Sequence, residues 1–394
     1  MKKVGLLTYH SVSNFGANLQ ALSTVSYLRN RGYYVVVINW MPDDLEEYYV
    51  KSVPDMQREE HVAFVNEYLP VTRLCRTSQD VEEVISEEKL LTILIGSDAV
   101  FSYKPILRRL HLSRKTIISY SSVTSDHAYP NPFWGDFKKN DELKLVSLSA
   151  SAQFLDIDRC LFFERKHLVS SLAKFDYISV RDRWTKQIVE NLTGRQAYLT
   201  PDPVWAFNQN CPLDIQDFER LRSKYQLAHK YAILSFCKLL YPDSWYKDLY
   251  SELHDQGFQV VNLAMPEGCI NIESDVVIDI PLNPLDWYAI IQNSSAYIGQ
   301  RMHPMIVAFH NSVPFYIFDH YLFKKDKPTS SKIYDILERS DHLSQYSQVN
   351  STSMVTPDDV VESILNFDKL KARQYADKYL TAYNDMMEDI TKFI

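Results

Sequence analysis

Ala296-Tyr297-Ile298-Gly299-Gln300-Arg301-Met302-His303-Pro304-Met305-Ile306-Val307-Ala308-Phe309 is the most informative run of this chain. Ala296–Ile298 has the apolar character of a buried strand, which stops at Gly299-Gln300. An apolar helix is predicted from Pro304, because proline suits the first helical position. A strand-to-helix junction in an α/β sheet lies at the strand's carboxyl end, where such sheets bind ligands. The helix N-terminus adds unpaired N–H groups and the positive end of a dipole. Arg301 and His303 at that point suit an anionic substrate and a proton transfer, although a solvated Arg301 and a structural His303 would explain the pair equally well.

The rest of the chain repeats the pattern. Val4–Tyr9, a helix over Leu19–Arg31, Gly32 and the strand Tyr33–Ile38 form a β-α-β opening; Tyr231–Cys237, Trp245–Gln256, Gly257 and Phe258–Leu263 form a second. In each, a glycine placed after the helix reads as its C-terminal cap. Further strands are expected at Leu91–Ile95, Leu143–Leu148, Tyr177–Val180, Ala197–Leu199, Asp275–Ile278, Ser295–Ile298 and Val313–Phe318. Continuous apolar strands alternating with helices imply parallel sheets covered on both faces. The expected architecture is therefore α/β, with two Rossmann-like domains facing a central cleft.

The boundaries follow from composition. Residues 1–203 form the N-terminal domain, with an acidic helical excursion over 40–90, and Pro201-Asp202-Pro203 reads as the linker. Residues 204–367 form the C-terminal domain. Residues 368–394 form a last helix, with Leu370, Tyr375, Tyr379, Tyr383 and Met387 at helical spacing, that could pack back on the first domain. The long connection 101–141 is a functional candidate by its length, and the stretch from Asp319 to Thr329 reads as a polar, mobile loop.

Composition excludes several classes. The 394 residues exceed one ordinary core, and 46% hydrophobic against 23% charged residues describes a globular chain. With 42 basic and 50 acidic residues the net charge is −8, which argues against a general nucleic-acid partner. The five cysteines lack metal or disulfide spacing, so no metal site is expected. No long apolar segment and no leader pattern occur, and a cytoplasmic location is expected.

Four strand ends carry ligand-type residues. The first strand leads into Asn14-Phe15-Gly16-Ala17-Asn18, where Gly16 would let backbone approach a ligand and the amides could bind it; a plain helix cap at Asn14 or Ser13 fits as well. Leu91–Ile95 runs into Gly96-Ser97-Asp98, whose carboxylate could orient a sugar hydroxyl, serve as a base or cap the next turn. Tyr177–Val180 ends at Arg181, a bidentate partner for carboxylate or phosphate, or one half of an Arg181–Asp182 surface pair. Arg301 and His303 complete the set, and His10 and Asp319 border strand ends as supporting candidates.

These segments, in this order and spacing, resemble the polysaccharide pyruvyl transferase family. The matching stretches are Leu7–Tyr9 through Asn14–Ala21, Gly96–Phe101, Ile178–Asp182 and Gly299–His303 followed by Val313-Pro314. Asn131–Trp134 and Val146–Ala150 add to them, so the likeness covers roughly residues 3–320. The resemblance implies a GT-B-like fold and transfer of a pyruvyl group from phosphoenolpyruvate onto a sugar of a surface polysaccharide or its lipid-linked precursor, as a cyclic ketal. Phosphoenolpyruvate would be a donor substrate, with no cofactor and no metal, and the N-terminal domain would take the acceptor. By position, Arg181 and Arg301 would hold the donor's phosphate and carboxylate. His303 would be the general acid/base and Asp98 would join it in catalysis. Asn14, Gly16, Asn18, Ser97 and Gln300 would bind substrate. The inner face of the membrane is an expected place of work, through peripheral association. The alternative on the same architecture is a GT-B glycosyltransferase using a nucleotide sugar.

Overall fold

The computed structural model describes residues 2–112, 118–138, 142–153, 155–319, 331–349 and 354–394. The loop expected between Asp319 and Thr329 thus lies, beyond Asp319 itself, outside the described residues. The strands are β1 (Lys3–Leu7), β2 (Tyr34–Trp40), β3 (Val71–Cys75), β4 (Thr92–Asp98), β5 (Leu110–Leu112), β6 (Ile118–Tyr120), β7 (Lys144–Ala150), β8 (Tyr177–Val180) and β9 (Tyr198–Leu199), followed by β10 (Tyr231–Ser235), β11 (Gln259–Leu263), β12 (Val276–Ile278), β13 (Ala296–Gly299), β14 (Phe315–Asp319) and β15 (Tyr346–Gln348).

They build two parallel sheets. The first has seven strands in the order β3-β2-β1-β4-β7-β8-β9, and the second has six in the order β12-β11-β10-β13-β14-β15. Every pairing in both sheets is parallel. Counted from its own first strand, each sheet begins 3-2-1-4, so each reverses direction beside that strand. That reversal point is where open α/β sheets bind ligands. The two β-α-β openings read from the sequence are the two places where this winding starts.

Four strands were absent from the expectation. The acidic excursion over 40–90 holds the helices Asp43–Ser52, Asp55–Tyr68 and Ser78–Glu87, but it also contains β3, which forms one edge of the first sheet. Val71–Cys75 is half-exposed and includes Arg73, so it lacks the continuous apolar run of a central strand. β15 escapes notice for the same reason, since Tyr346-Ser347-Gln348 carries only one apolar residue at the opposite edge of the second sheet. The connection 101–141 contributes β5 and β6, an antiparallel pair.

The sheets are joined by a shared helical layer. Helix Phe15–Asn30 from the first half meets Pro284–Gln292 from the second, with Phe15 stacked on Trp287 at 5.0 Å. Trp205, just past the linker, packs on Phe309 and Tyr379. Gln57 exchanges hydrogen bonds with the backbone of Leu282 in both directions, at 2.9 and 2.7 Å. A large apolar contact of this kind holds two lobes in a fixed relation better than a polar one. The last helix, Lys369–Thr391, buries Tyr379, Tyr383 and Met387, whereas Leu370, on the same predicted stripe, is exposed in its first turn. Its Met386 thioether accepts from Ser149 at 3.2 Å, and beyond it the Phe393 carbonyl accepts from Thr92 at 2.7 Å. The chain's end thereby reaches the first sheet.

Candidate active site

Both reversal points open on one cavity of about 630 Å³ between the sheets. From the first sheet come the residues after β1 (Tyr9, Asn14, Gly16), at the end of β4 (Asp98) and after β8 (Arg181). From the second come those after β10 (Cys237, Lys238), after β13 (Gln300, Arg301, His303) and at the end of β14 (Asp319), with Lys332 beyond it. All four junctions singled out in the sequence therefore converge.

Arg181 is the hub. Its side chain is buried, and its two terminal nitrogens donate to Asp98 Oδ1 at 2.6 Å and Asp202 Oδ2 at 2.8 Å, while Nε has no hydrogen-bond partner. It does not pair with Asp182, whose carboxylate caps helix Arg183–Thr193 through the Thr185 N–H and accepts from Ser151 Oγ. With both terminal nitrogens committed, Arg181 holds two carboxylates in place rather than presenting a free fork. Burial raises the pKa of Asp98, but Arg181, then Lys332 and His303, outweigh it and hold the carboxyl well below the usual range. Burial acts the same way on Asp202 and is again outweighed, by the neighbouring His303 imidazole and then by Arg181, which leaves it at about 2. Both are anions at neutral pH.

His303 sits with Nε2 3.6 Å from Asp202 Oδ2. Its other side lies against Gly16: a Cβ at that glycine would be 2.0 Å from His303 Nδ1 and 2.1 Å from Cγ. Gly16 is thus the residue that lets the imidazole of one lobe pack onto the first helical turn of the other. The imidazole is held between a carboxylate and a helix N-terminus, both from within residues 1–203.

The remaining predicted residues divide. Asn14 lines the cavity, yet its Oδ1 accepts from the Gly16 and Ala17 N–H groups, so the cap reading describes that oxygen. Gln300 also borders the cavity but uses Oε1 to accept from the Cys237 N–H at 2.8 Å. Asn18 and Ser97 are corrections. Asn18 is fully buried, donating to the His10 carbonyl and accepting from His61, and Ser97 donates to the Ser149 carbonyl beneath the site. Neither lines the cavity, because both point into the packing under the loops they were read from. His10 is likewise buried, between Thr8 and Asn39.

Arg301 reaches the cavity with a partly exposed guanidinium paired to Glu267. Its backbone is unusual, with φ 72° and ψ 152°, a region that side chains rarely tolerate; Asp98 also has positive φ, 75°. Such conformations cost on the order of 1–3 kcal/mol each and concentrate where a ligand needs a fixed group. Two site residues escaped the sequence reading. Asp202 reads as linker in the sequence, where the available signal is a carboxylate locked between two prolines. Lys332 follows a polar stretch without strand or motif, and only the tertiary structure brings its ammonium 3.7 Å from Asp98. Burial, reinforced by Arg181, pulls the Lys332 pKa down to about 8. Also on the lining, Tyr9 donates to Asp126 at 2.7 Å, and Tyr48 and Tyr49 border the same cavity. Among the described residues no cluster of His, Cys, Asp and Glu could hold a metal ion, and no helix is long and apolar enough to cross a membrane.

Comparison with known proteins gives a consistent frame. The family model Polysaccharide pyruvyl transferase matches residues 14–321. Comparison with curated protein sequences finds no match. Among solved structures, a protein assigned as a UDP-N-acetylglucosamine 2-epimerase from Listeria monocytogenes is similar at 11% identity and TM-score 0.56, covering 99% of this chain and 96% of its own. The UDP-GlcNAc 2-epimerase from Methanocaldococcus jannaschii is similar at 9% identity and TM-score 0.51, covering 96% and 99%. At such identities the likeness speaks for the fold, two parallel-sheet α/β domains in the GT-B arrangement.

Proposed function

Because this chain belongs to the polysaccharide pyruvyl transferase family and is a transferase, we propose that it moves a pyruvyl group from phosphoenolpyruvate onto a saccharide of a surface polysaccharide or its lipid-linked precursor, forming a cyclic ketal. The observation that carries this reading is the meeting of His303, backed from beneath by the buried Asp202 carboxylate, with the cations Arg301 and Lys332 on the lining of one cavity between the two lobes.

Phosphoenolpyruvate carries two anionic groups on a three-carbon frame. Arg301 and Lys332 are the cations suited to hold them, and Arg181 contributes through its unpartnered Nε and the carboxylates it fixes. This shifts the second clamp position from Arg181 to Lys332. His303 gives a proton to C3, which leaves an oxocarbenium-like C2 open to a sugar hydroxyl. Asp202 stabilises the imidazolium before that transfer, a general acid oriented by a carboxylate. A second hydroxyl then displaces phosphate at C2. Of the two hydroxyl protons released, one returns to His303 and the other leaves on the phosphate. Asp98, held ionised beside Arg181 and Lys332, fixes the electrostatics of the donor end.

The test is incubation with phosphoenolpyruvate and a panel of galactosides and N-acetylhexosamines, followed for phosphate release and ketal product. Absence of turnover across the panel would overturn the proposal. A thermal-shift comparison separates it from the nucleotide-sugar alternative: a ligand at about 100 times its Kd stabilises by about 2.7 kcal/mol, so phosphoenolpyruvate rather than a uridine or guanosine diphosphate sugar should raise the midpoint.

A further inference from the structure

Phe162 is the most exposed large apolar side chain among the described residues, at 76%, and Phe163 beside it is 48% exposed. They open helix Phe162–Ala173, on which Arg165 and Lys166 are also exposed, and Arg159 is exposed just before it. The Lys166 ammonium lies 5.7 Å from the Phe162 ring. The neighbouring turn Ile106–Arg109 extends the same surface. It is tied to the helix by the Ile106 N–H donating to Glu164 Oε1 at 3.0 Å, and it presents exposed Leu107. Beyond it Arg109 stacks at 4.1 Å on Tyr120, whose ring is half-exposed. The acidic residues of the region are largely withdrawn: Glu164 is buried and Asp156 is bonded to Arg108, which leaves Asp158 exposed.

We infer that this aromatic and basic surface docks the protein on an anionic lipid bilayer, with Phe162 and Phe163 entering the interface and Arg159, Arg165 and Lys166 facing the headgroups. Aromatic and apolar tips ringed by long cationic side chains match an interface that is apolar below and negatively charged above. A locally basic surface on a chain whose net charge is −8 is complementary to an anionic bilayer, and that charge complementarity favours a lipid surface over a protein partner. The location also fits. Tyr120 precedes by four residues Thr124, which with Asp126 and His127 lines the cavity wall, so chain geometry limits that separation to about 14 Å. A saccharide presented from a membrane would reach the cavity from this side.

The surface can be tested without any donor or acceptor, so its failure is separate from failure of pyruvyl transfer. The full chain is sedimented with vesicles of phosphatidylglycerol and phosphatidylcholine, and with phosphatidylcholine alone. Binding is expected to the anionic vesicles and to fall steeply as salt is raised. F162S/F163S should weaken it roughly tenfold or more, given the transfer free energy of a phenyl side chain. R165E/K166E should weaken binding to anionic vesicles, with the circular dichroism of both variants unchanged. Equal binding to both vesicle types, or variants that bind as the parent does, would overturn the inference. So would a change in oligomeric state on F162S/F163S with vesicle binding intact, which would assign the patch to self-association.

Discussion

Residue-level chemistry sets three expectations. Gly16→Ala drives a Cβ into the His303 ring, and a catalytic group displaced by about 1 Å costs on the order of a hundredfold in rate. The variant should therefore lose turnover in the phosphate-release assay while phosphoenolpyruvate still raises its melting midpoint. Asp202→Asn removes the charge behind His303 and one of the two anions on Arg181; kcat should fall much more than KM for the donor rises, and equal changes in both would contradict the proton-transfer role. Lys332 loses its proton near pH 8. The KM for phosphoenolpyruvate should rise above that pH, and Lys332→Met should give a raised KM without that rise.

At the level of elements, the decisive pieces are the loops after the strands and the short 3-10 turn Pro203–Ala206 that joins the lobes. Trp205 in that turn is buried against Phe309 and Tyr379. Trp205→Ala should destabilise by about 3–5 kcal/mol, as large-to-small core changes do, and urea denaturation would measure it. The strand-to-helix junctions were legible because a buried parallel strand is apolar throughout and ends abruptly where polar ligand-type residues begin. Edge strands β3 and β15 were not, because half of such a strand faces solvent or a loop and its pattern dissolves into the polar background.

In the whole molecule, burying Arg181 between Asp98 and Asp202 couples the cavity to stability. Removing one member of a buried ionic cluster costs about 3–5 kcal/mol because the partners stay behind uncompensated, so Arg181→Met should unfold at distinctly lower urea. The pH dependence has two signs. Asp202 keeps its charge down to about pH 2 in the folded protein, against the ordinary value of 3.8. Its stabilisation is full above the ordinary value and is lost as the pH falls through that interval. For Lys332, between about pH 8 and its ordinary 10.5 the unfolded chain binds a proton that the folded chain has released, so its contribution makes stability rise with pH there. The donor-binding charge disappears over the same interval, so the molecule gains stability as it loses donor affinity. A melting curve across pH 7–11 on the parent and Lys332→Met would separate that contribution.

The sequence alone determined the two windings and the positions of Asp98, Arg181, Arg301 and His303 at strand ends, because hydrophobic period and strand termination are local properties of the chain. Tertiary structure decided partnership. It gave the Arg181 terminal nitrogens to Asp98 and Asp202, turned Asn18 and Ser97 inward, laid His303 on Gly16 and brought Lys332 to Asp98. Apart from the Asn18–His10 bond, which spans 8 positions, these contacts join residues that are from 21 to 287 positions apart. A side chain's direction there is fixed by how two lobes pack, and no nearby stretch of sequence encodes that.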